Sequence, residues 1–74
     1  MLGLQYTEKA LKHWAEWLPE MTKELRKEGT LNAMAQQASK TAARRVAELM
    51  AAGMQQHEAE EIVLPETILL PPER

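Results

Sequence analysis

The sequence predicts an all-α protein, and three observations support this fold class. The chain has 74 residues, which is enough for one small domain and too few for two. Alanine, leucine, glutamate and lysine, all strong helix formers, are abundant, whereas only 4% of the residues are aromatic. Apolar residues recur at helical spacing between glycines and prolines. We expect an antiparallel helical hairpin, a short third helix, and an extended, proline-bounded C-terminal tail.

The first predicted helix covers about residues 8–28. Its apolar positions follow one another at steps of three and four: Leu11, Trp14, Leu18, Met21 and Leu25. The pattern passes Pro19 without losing phase, although proline removes a helical hydrogen bond and disfavours helical geometry at the preceding residue. Two interpretations remain open. We favour one helix kinked at Pro19 over two short helices with Pro19 opening the second.

The second predicted helix covers about residues 31–52 and follows Gly29, which is expected to end the first. Its apolar stripe consists mostly of small side chains, so that another helix can approach closely: Leu31, Met34, Ala35, Ala38, Ala42, Val46 and Leu49. The two long segments are similar in length and separated by a very short loop. Antiparallel pairing of these two segments is therefore expected.

A third, short helix is predicted at about residues 54–64, ended by Pro65, with an extended tail over residues 65–74. Three consecutive aliphatic residues, Ile68, Leu69 and Leu70, lie in the tail before Pro71 and Pro72. Leaving them in water would cost roughly 1.5–3 kcal/mol per side chain. They must therefore cover the chain's own body, a second copy, or another protein, and the sequence leaves these three destinations open.

The stretch HEAEE, His57 to Glu61, resembles half of a zinc-protease motif, in which two histidines one turn apart bind zinc and a glutamate activates water. Here the second position is Glu61, and the only other histidine is His13. A body this thin can scarcely form a substrate pocket. Acidic residues are favoured at a helix start by the helix dipole. We therefore interpret HEAEE as a helix start and predict no metal, no cofactor and no catalytic residue.

Charge is divided along the chain. Residues 8–45 carry eight Lys or Arg against five Glu, whereas residues 46–74 carry one Arg against six Glu. Lys40, Arg44 and Arg45 are the candidates for a phosphate contact, but basic residues interleave with Glu in the first helix, which argues against nucleic-acid binding. No segment has the length of a membrane span and the N-terminus lacks a signal-peptide pattern, so we expect neither membrane insertion nor export.

The candidate partner-binding residues are Trp17 and the aliphatic tail residues Ile68, Leu69 and Leu70. Trp14 lies on the apolar stripe of the first helix and is expected in the core, whereas Trp17 lies off it and is expected to be half exposed. Exposed tryptophan is a common anchor of protein interfaces. With so thin a core, a protein partner or self-association into a homodimer or larger oligomer is a natural supplement.

The run LKHWAEWLPEMTKELRKEGTL, residues 11–31, resembles a segment of small uncharacterised proteins encoded by phages, prophages and transposons, including TnpV-like proteins. AEEIVL at residues 59–64, followed by the aliphatic segment at 66–70, is similar to a second segment of that group. The chain lacks the longer N-terminal part of the TnpV pattern and the insert before AEEIVL. The resemblance implies a mobile genetic element in a bacterium and carries over no activity.

The function expected from this reading is non-enzymatic. A phage or mobile-element accessory protein of this kind would bind another protein, as an inhibitor or adaptor of a host or defence protein in the bacterial cytoplasm. Two alternatives remain: a virion or assembly component, and a DNA-binding accessory of a transposon or phage operon that uses Lys40, Arg44 and Arg45.

Overall fold

The computed structural model describes residues 3–72, which form four α-helices and no β-strand. The helices are α1 (Thr7–Trp17), α2 (Pro19–Glu28), α3 (Leu31–Ala51) and α4 (Gln56–Thr67). The all-α prediction is confirmed. The last two residues of the predicted tail lie outside the described part of the chain. None of the helices in residues 3–72 combines the length and the apolarity needed to cross a bilayer.

The first predicted helix is divided into α1 and α2 at Leu18. Leu18 leaves helical geometry, with φ −130° and ψ 57°, while its N–H still donates to the Trp14 carbonyl at 2.8 Å. Pro19 then occupies the first position of α2. Proline costs nothing there, because the first helical N–H groups have no intrahelical acceptor. The single kinked helix is therefore not formed, and the second interpretation describes the chain.

Gly29 ends α2 as the sequence predicts. It adopts a left-handed conformation with φ 77°, which glycine reaches without steric cost. The N–H of Thr30 then reaches back to the Leu25 carbonyl at 2.9 Å, which satisfies one of the last carbonyls of the helix. The chain can therefore turn within two residues and begin α3 at Leu31.

The buried stripe of α3 differs from the predicted one at two positions. Ala35, Ala42 and Val46 are buried as expected, but Met34 is 48% exposed and Ser39 is fully buried. Ser39 continues the stripe, because positions 35, 39, 42 and 46 follow one another at steps of three and four. Its hydroxyl donates to the Gly3 carbonyl at 2.7 Å and accepts the Tyr6 N–H at 3.0 Å. The segment before α1 is thereby fixed against the middle of α3.

The clearest antiparallel pair is formed by α3 and α4. A short connection joins Ala51 to Gln56, and 21 residues separate Arg45 from Glu66, which meet in an ion pair of 2.6 Å. The predicted hairpin between segments 8–28 and 31–52 is not confirmed. Its first arm is two helices, and both α1 and α2 pack on α3.

The predicted boundary at Pro65 is wrong, because α4 continues through Pro65 to Thr67. Beyond it, the N–H groups of Ile68 and Leu69 both donate to the Leu64 carbonyl, at 2.8 and 2.7 Å. The helix ends at Thr67, and Ile68 and Leu69 form a tight turn after it. The expected extended tail from residue 65 is therefore shorter, and Ile68 lies at the end of a helix.

The core is thin and lies between α3 and the other helices. Four of its eleven members are alanines and the other seven are larger: Tyr6, Ala10, Trp14, Leu18, Ala35, Ala42, Val46, Ala59, Val63, Leu64 and Ile68. The Cα atoms span 41 × 27 × 12 Å. The shortest of these dimensions is less than half of the next, so the body is a flat layer with two broad faces.

Candidate functional site

The residues after Pro65 bind back onto α1 through two hydrogen bonds, which we call the C-terminal clasp. The indole N–H of Trp14 donates to the Ile68 carbonyl at 2.9 Å, and Nε2 of His13 donates to the Leu70 carbonyl at 2.9 Å. Of the three destinations considered for this segment, the structure therefore has the first, the chain's own body.

Ile68, one of the residues predicted to contact a partner, is fully buried in this fold. It fills the core beneath the clasp and cannot touch another molecule in this fold. Leu69 is 37% exposed and Leu70 is half-buried. Ile68 and Leu69 differ in burial because both N–H groups bind the Leu64 carbonyl in a tight turn after α4, and this turn directs the two side chains to different sides.

Trp14 and Trp17 differ in exposure, as the sequence predicts. Trp14 is 3% exposed and Trp17 is 48% exposed. Trp17 is the last residue of α1, one turn beyond His13 and Trp14, so that it borders the clasp on the α1 side. Leu69 lies between the two carbonyls that the clasp binds. The accessible apolar residues predicted to contact a partner are therefore Trp17 and Leu69, both beside the clasp.

Tyr6 connects the start of the fold to α4. Its hydroxyl donates to a carboxylate oxygen of Glu60 at 2.6 Å, and its ring is only 4% exposed. Burial, followed by the hydrogen bond and the negative charge of Glu60, raises the pKa of Tyr6 to about 12. The phenol is therefore protonated at neutral pH and holds α4 as a hydrogen-bond donor.

The predicted phosphate-binding residues do not converge on one free cationic surface. Arg45 is bound to Glu66 at 2.6 Å, and Arg44 lies 3.8 Å from Glu48. Lys40 is exposed, with its side-chain stem packed near Gly3. Two of the three positive charges are thus compensated by carboxylates of the same chain.

The stretch HEAEE does lie at a helix start, in the first turns of α4. Glu58 accepts the backbone N–H of Gln55 at 3.2 Å, which satisfies a group that the helix itself leaves without a partner. Within residues 3–72, no three His, Asp or Glu side chains are grouped so that they could hold a metal ion. His13, the third ligand that a zinc site would need, binds Leu70 instead.

An apolar groove lies between α2 and α3. It encloses about 320 Å³, and its walls are formed by Met21 and Leu25 of α2, Met34 and Ala38 of α3, and Leu70. Trp14 and Glu66 also line it. Two of the wall residues are methionines, whose flexible side chains adapt to an irregular contact.

Sequence reasoning missed Ser39, Glu60 and the groove. Ser39 could have been found, because its position has the phase of the buried stripe of α3. Glu60 and the groove had no local signal: each depends on contacts between segments more than twenty residues apart, here Tyr6 with Glu60 and α2 with Leu70.

A comparison with known protein families, with curated proteins and with solved structures finds no match.

Proposed function

We propose that this chain is a small non-enzymatic interaction protein that binds another protein through Trp17 and Leu69. The observation that supports it best is the exposure of Trp17: a large indole, 48% exposed, stands at the end of a helix in a chain with only two tryptophans. Tryptophan is enriched among the residues that dominate binding energy at interfaces.

The local structure presents Trp17 rigidly. Trp14, one turn before it, is anchored in the core by its bond to Ile68, and Leu18, immediately after it, is 6% exposed. A side chain between two buried neighbours loses little backbone freedom when a partner covers it. Pre-organisation of this kind reduces the entropic cost of association.

A non-enzymatic role is supported by the structural use of three polar side chains that are buried or partly buried. Tyr6, Ser39 and His13, which are candidates for proton transfer or nucleophilic attack in other proteins, each hold a backbone or side-chain group of this chain. They fix the position of α4, of the N-terminal segment and of the C-terminal clasp respectively.

The resemblance to proteins of phages and transposons supports the setting of a mobile element in a bacterium, in which an inhibitor or adaptor acts on a host or defence protein. Under this proposal the partner supplies an apolar pocket for the indole of Trp17 and a smaller apolar contact for Leu69. The chain inhibits if that pocket belongs to a functional surface of the partner, and otherwise it links two proteins.

The experiment compares two double variants of matched exposure. Trp17→Ala with Leu69→Ala removes the proposed contacts; Met50→Ala with Ile62→Ala removes residues that are 44% and 45% exposed elsewhere. A photo-crosslinking residue at the neighbouring exposed position 16, which leaves Trp17 in place, identifies partners in the bacterial host. Calorimetry then measures the affinity of each variant for the purified partner.

We expect the first variant to weaken binding at least about a hundredfold, as loss of a central aromatic anchor does. The matched variant should bind as the unchanged chain does. Equal binding by all three chains, with their helix content unchanged in circular dichroism, would refute the proposal. Addition of the chain to the purified partner then separates inhibition from adaptor function by the partner's own activity.

A further inference from the structure

We infer that a cleft along α4 takes an arginine or lysine side chain of the partner protein. Residues of α4 and of the turn after it line this surface, which we call the α4 cleft: His57, Glu60, Glu61, Leu64, Pro65 and Leu69. The inference rests on the proposed function, because Leu69 belongs to both surfaces, and it names the chemistry of the group that meets Leu69. Three features support it: an apolar lining, uncompensated negative charge, and a backbone carbonyl that Pro65 leaves without its helical donor.

The apolar lining of the α4 cleft comes from Leu64, Pro65 and Leu69. Leu64 is buried, whereas Pro65 and Leu69 are exposed. The cleft has a volume of about 420 Å³, which is ample for one long side chain. Arginine and lysine carry apolar stems that cover apolar surface while the charged end stays in a polar environment. A stem that lies along Pro65 and Leu69 therefore supplies the apolar contact that the proposed function requires for Leu69.

Charged and apolar lining residues follow one another along the helix axis. Glu61 is followed after four residues by Pro65, and Glu60 is followed after four residues by Leu64, so that each pair is adjacent on the helix surface. A step of four residues is about 6 Å along the axis. The stem of an arginine or lysine spans such a distance, so one side chain can contact Pro65 and reach both carboxylates.

The negative charge of the α4 cleft is not compensated by a cation of the same chain. In the described part of the chain, neither Glu60 nor Glu61 takes part in an ion pair. Glu60 accepts hydrogen bonds from the Tyr6 hydroxyl at 2.6 Å and from Nε2 of Gln56 at 3.3 Å, but both donors are neutral and leave its charge in place. No lysine or arginine occurs in residues 46–73. A compensating cation must therefore come from another molecule or from the first half of the chain.

Pro65 adds a backbone acceptor to the two carboxylates. In an unbroken helix the Glu61 carbonyl accepts the N–H of the fourth residue on, and proline has no N–H to donate. Helical carbonyls point towards the C-terminal end, so this oxygen points towards Pro65, and Glu61 is exposed. The α4 cleft thus offers acceptors of three groups beside an apolar lining. A guanidinium or ammonium group carries only donors, and its charge strengthens each hydrogen bond to a carboxylate.

Other kinds of occupant fit the α4 cleft less well. A metal ion needs a group of at least three ligands, and the described residues 3–72 contain no such group. An acidic segment would meet like charge. A purely apolar segment would remove the two carboxylates from water without giving them a partner, which is costly. The lining therefore favours an occupant with an apolar stem and a positive end.

A second copy of the chain is a poor source of that side chain. Every basic residue of α1 and α2 has a glutamate within four residues along the sequence, so a second copy would bring carboxylates towards the cleft together with its cation. On α3, Arg44 and Arg45 are already paired with glutamates, and the stem of Lys40 packs near Gly3. The basic side chain is therefore assigned to a different protein, the partner of Trp17.

The test titrates the chain with n-butylguanidinium, a probe that has the stem and the head group of arginine, and follows the backbone amides by NMR. The largest shifts should occur at residues 57–69. n-Butanol, which has the same stem without a charge, should bind at least about threefold more weakly, as expected when an exposed charge contact is lost.

Two variants test the two kinds of acceptor. Glu61→Gln keeps the shape of the side chain and removes its charge, and should raise the Kd of n-butylguanidinium about threefold. Pro65→Ala supplies an N–H that occupies the Glu61 carbonyl, and should raise the Kd about twofold. The matched control is Glu24→Gln, which removes one negative charge at an exposed position of α2, a helix that does not pack against α4. It should leave the Kd unchanged.

The inference is overturned if the probe shifts no amide of residues 57–69, if n-butanol binds equally well, or if Glu24→Gln weakens the probe as much as Glu61→Gln does. The cross-linked partner separates this inference from the proposed function. Trp17→Ala should weaken the partner but not the probe, because Trp17 does not line the α4 cleft, whereas Glu61→Gln should weaken both. Probe binding together with a partner that ignores Trp17→Ala contradicts the proposed function, and loss of partner binding in Trp17→Ala without any probe binding contradicts this inference alone.

Discussion

Pro19 and Pro65 lie in similar surroundings in the sequence and have opposite effects in the structure. Both follow a leucine, and both interrupt a run with helical apolar spacing. The chain leaves helical geometry before Pro19 and opens a new helix with it, whereas α4 passes through Pro65 for two further residues. Proline alone therefore does not decide where these helices end.

The difference lies in what holds the residues after each proline. Pro65 leaves the Glu61 carbonyl without its helical donor, but Glu61 is exposed and water can satisfy that group. Beyond Pro65, Ile68 is fully buried and its carbonyl binds Trp14. Burial of Ile68 thus stabilises the helical path through Pro65. The first residues after Pro19 have only Thr22 buried, and they gain nothing from an unbroken helix.

Loss of the buried side chain beyond Pro65 should have the largest effect. Ile68→Ala removes a fully buried aliphatic side chain and should lower the free energy of unfolding by about 3 kcal/mol. Leu69→Ala is the control and should cost much less, because Leu69 is 37% exposed. Urea unfolding followed by circular dichroism measures both. Equal losses would mean that the anchor of this segment is not Ile68.

Alkaline pH tests the contact that holds the other end of α4. Below pH 10 Tyr6 is protonated in both the folded and unfolded chains; between pH 10 and its folded pKa of about 12 only the unfolded chain loses the proton. Stability should therefore fall as pH rises across this window, by on the order of 2 kcal/mol.

The comparison chain is Tyr6→Phe, which has no phenol to titrate but keeps all lysines. Its free energy of unfolding should be lower at neutral pH by about 1 kcal/mol for the lost hydrogen bond, and should change less between pH 10 and pH 12. Parallel pH curves for the two chains would contradict the role given to the Tyr6–Glu60 bond.

The clasp itself should contribute less than the side chain beneath it. Trp14→Phe keeps an aromatic ring in the core but removes the N–H that binds the Ile68 carbonyl, and a buried carbonyl without a donor costs roughly 1–3 kcal/mol. We expect a loss of about 1.5 kcal/mol in urea unfolding. Trp17→Phe, at a 48% exposed position, should be close to neutral. A neutral Trp14→Phe would show that the clasp is dispensable.

The sequence predicted what depends on local chemistry. The helical segments, the left-handed turn at Gly29 and the contrast between Trp14 and Trp17 follow from periodicity and residue type. It did not predict the path after Pro65, because the local signals, Pro65 and the Pro71–Pro72 pair, favour an extended chain there, while the bonds to Trp14 and His13 come from a helix more than fifty residues away.

The candidate surfaces, too, were predictable from the sequence only where they depend on local pattern. Exposure of Trp17 could be predicted from its phase on the first helix, but burial of Ile68 and the groove depend on which segments meet.

Replacing each proline by alanine should give the smallest effects, with opposite signs. Pro65→Ala restores the missing N–H to the Glu61 carbonyl inside α4, which removes the cost of a proline in a helix interior. The variant also has a freer unfolded chain, which offsets part of this gain. The free energy of unfolding should therefore rise by about 1 kcal/mol. Pro19→Ala should lower the free energy of unfolding by about 0.5 kcal/mol, because proline at a first helical position costs nothing in the folded chain and restricts the unfolded chain. Thermal and urea unfolding of both variants measure the signs. If Pro19→Ala stabilised the chain instead, α1 and α2 would prefer to join into one helix, and the break at Leu18 would owe its existence to proline alone.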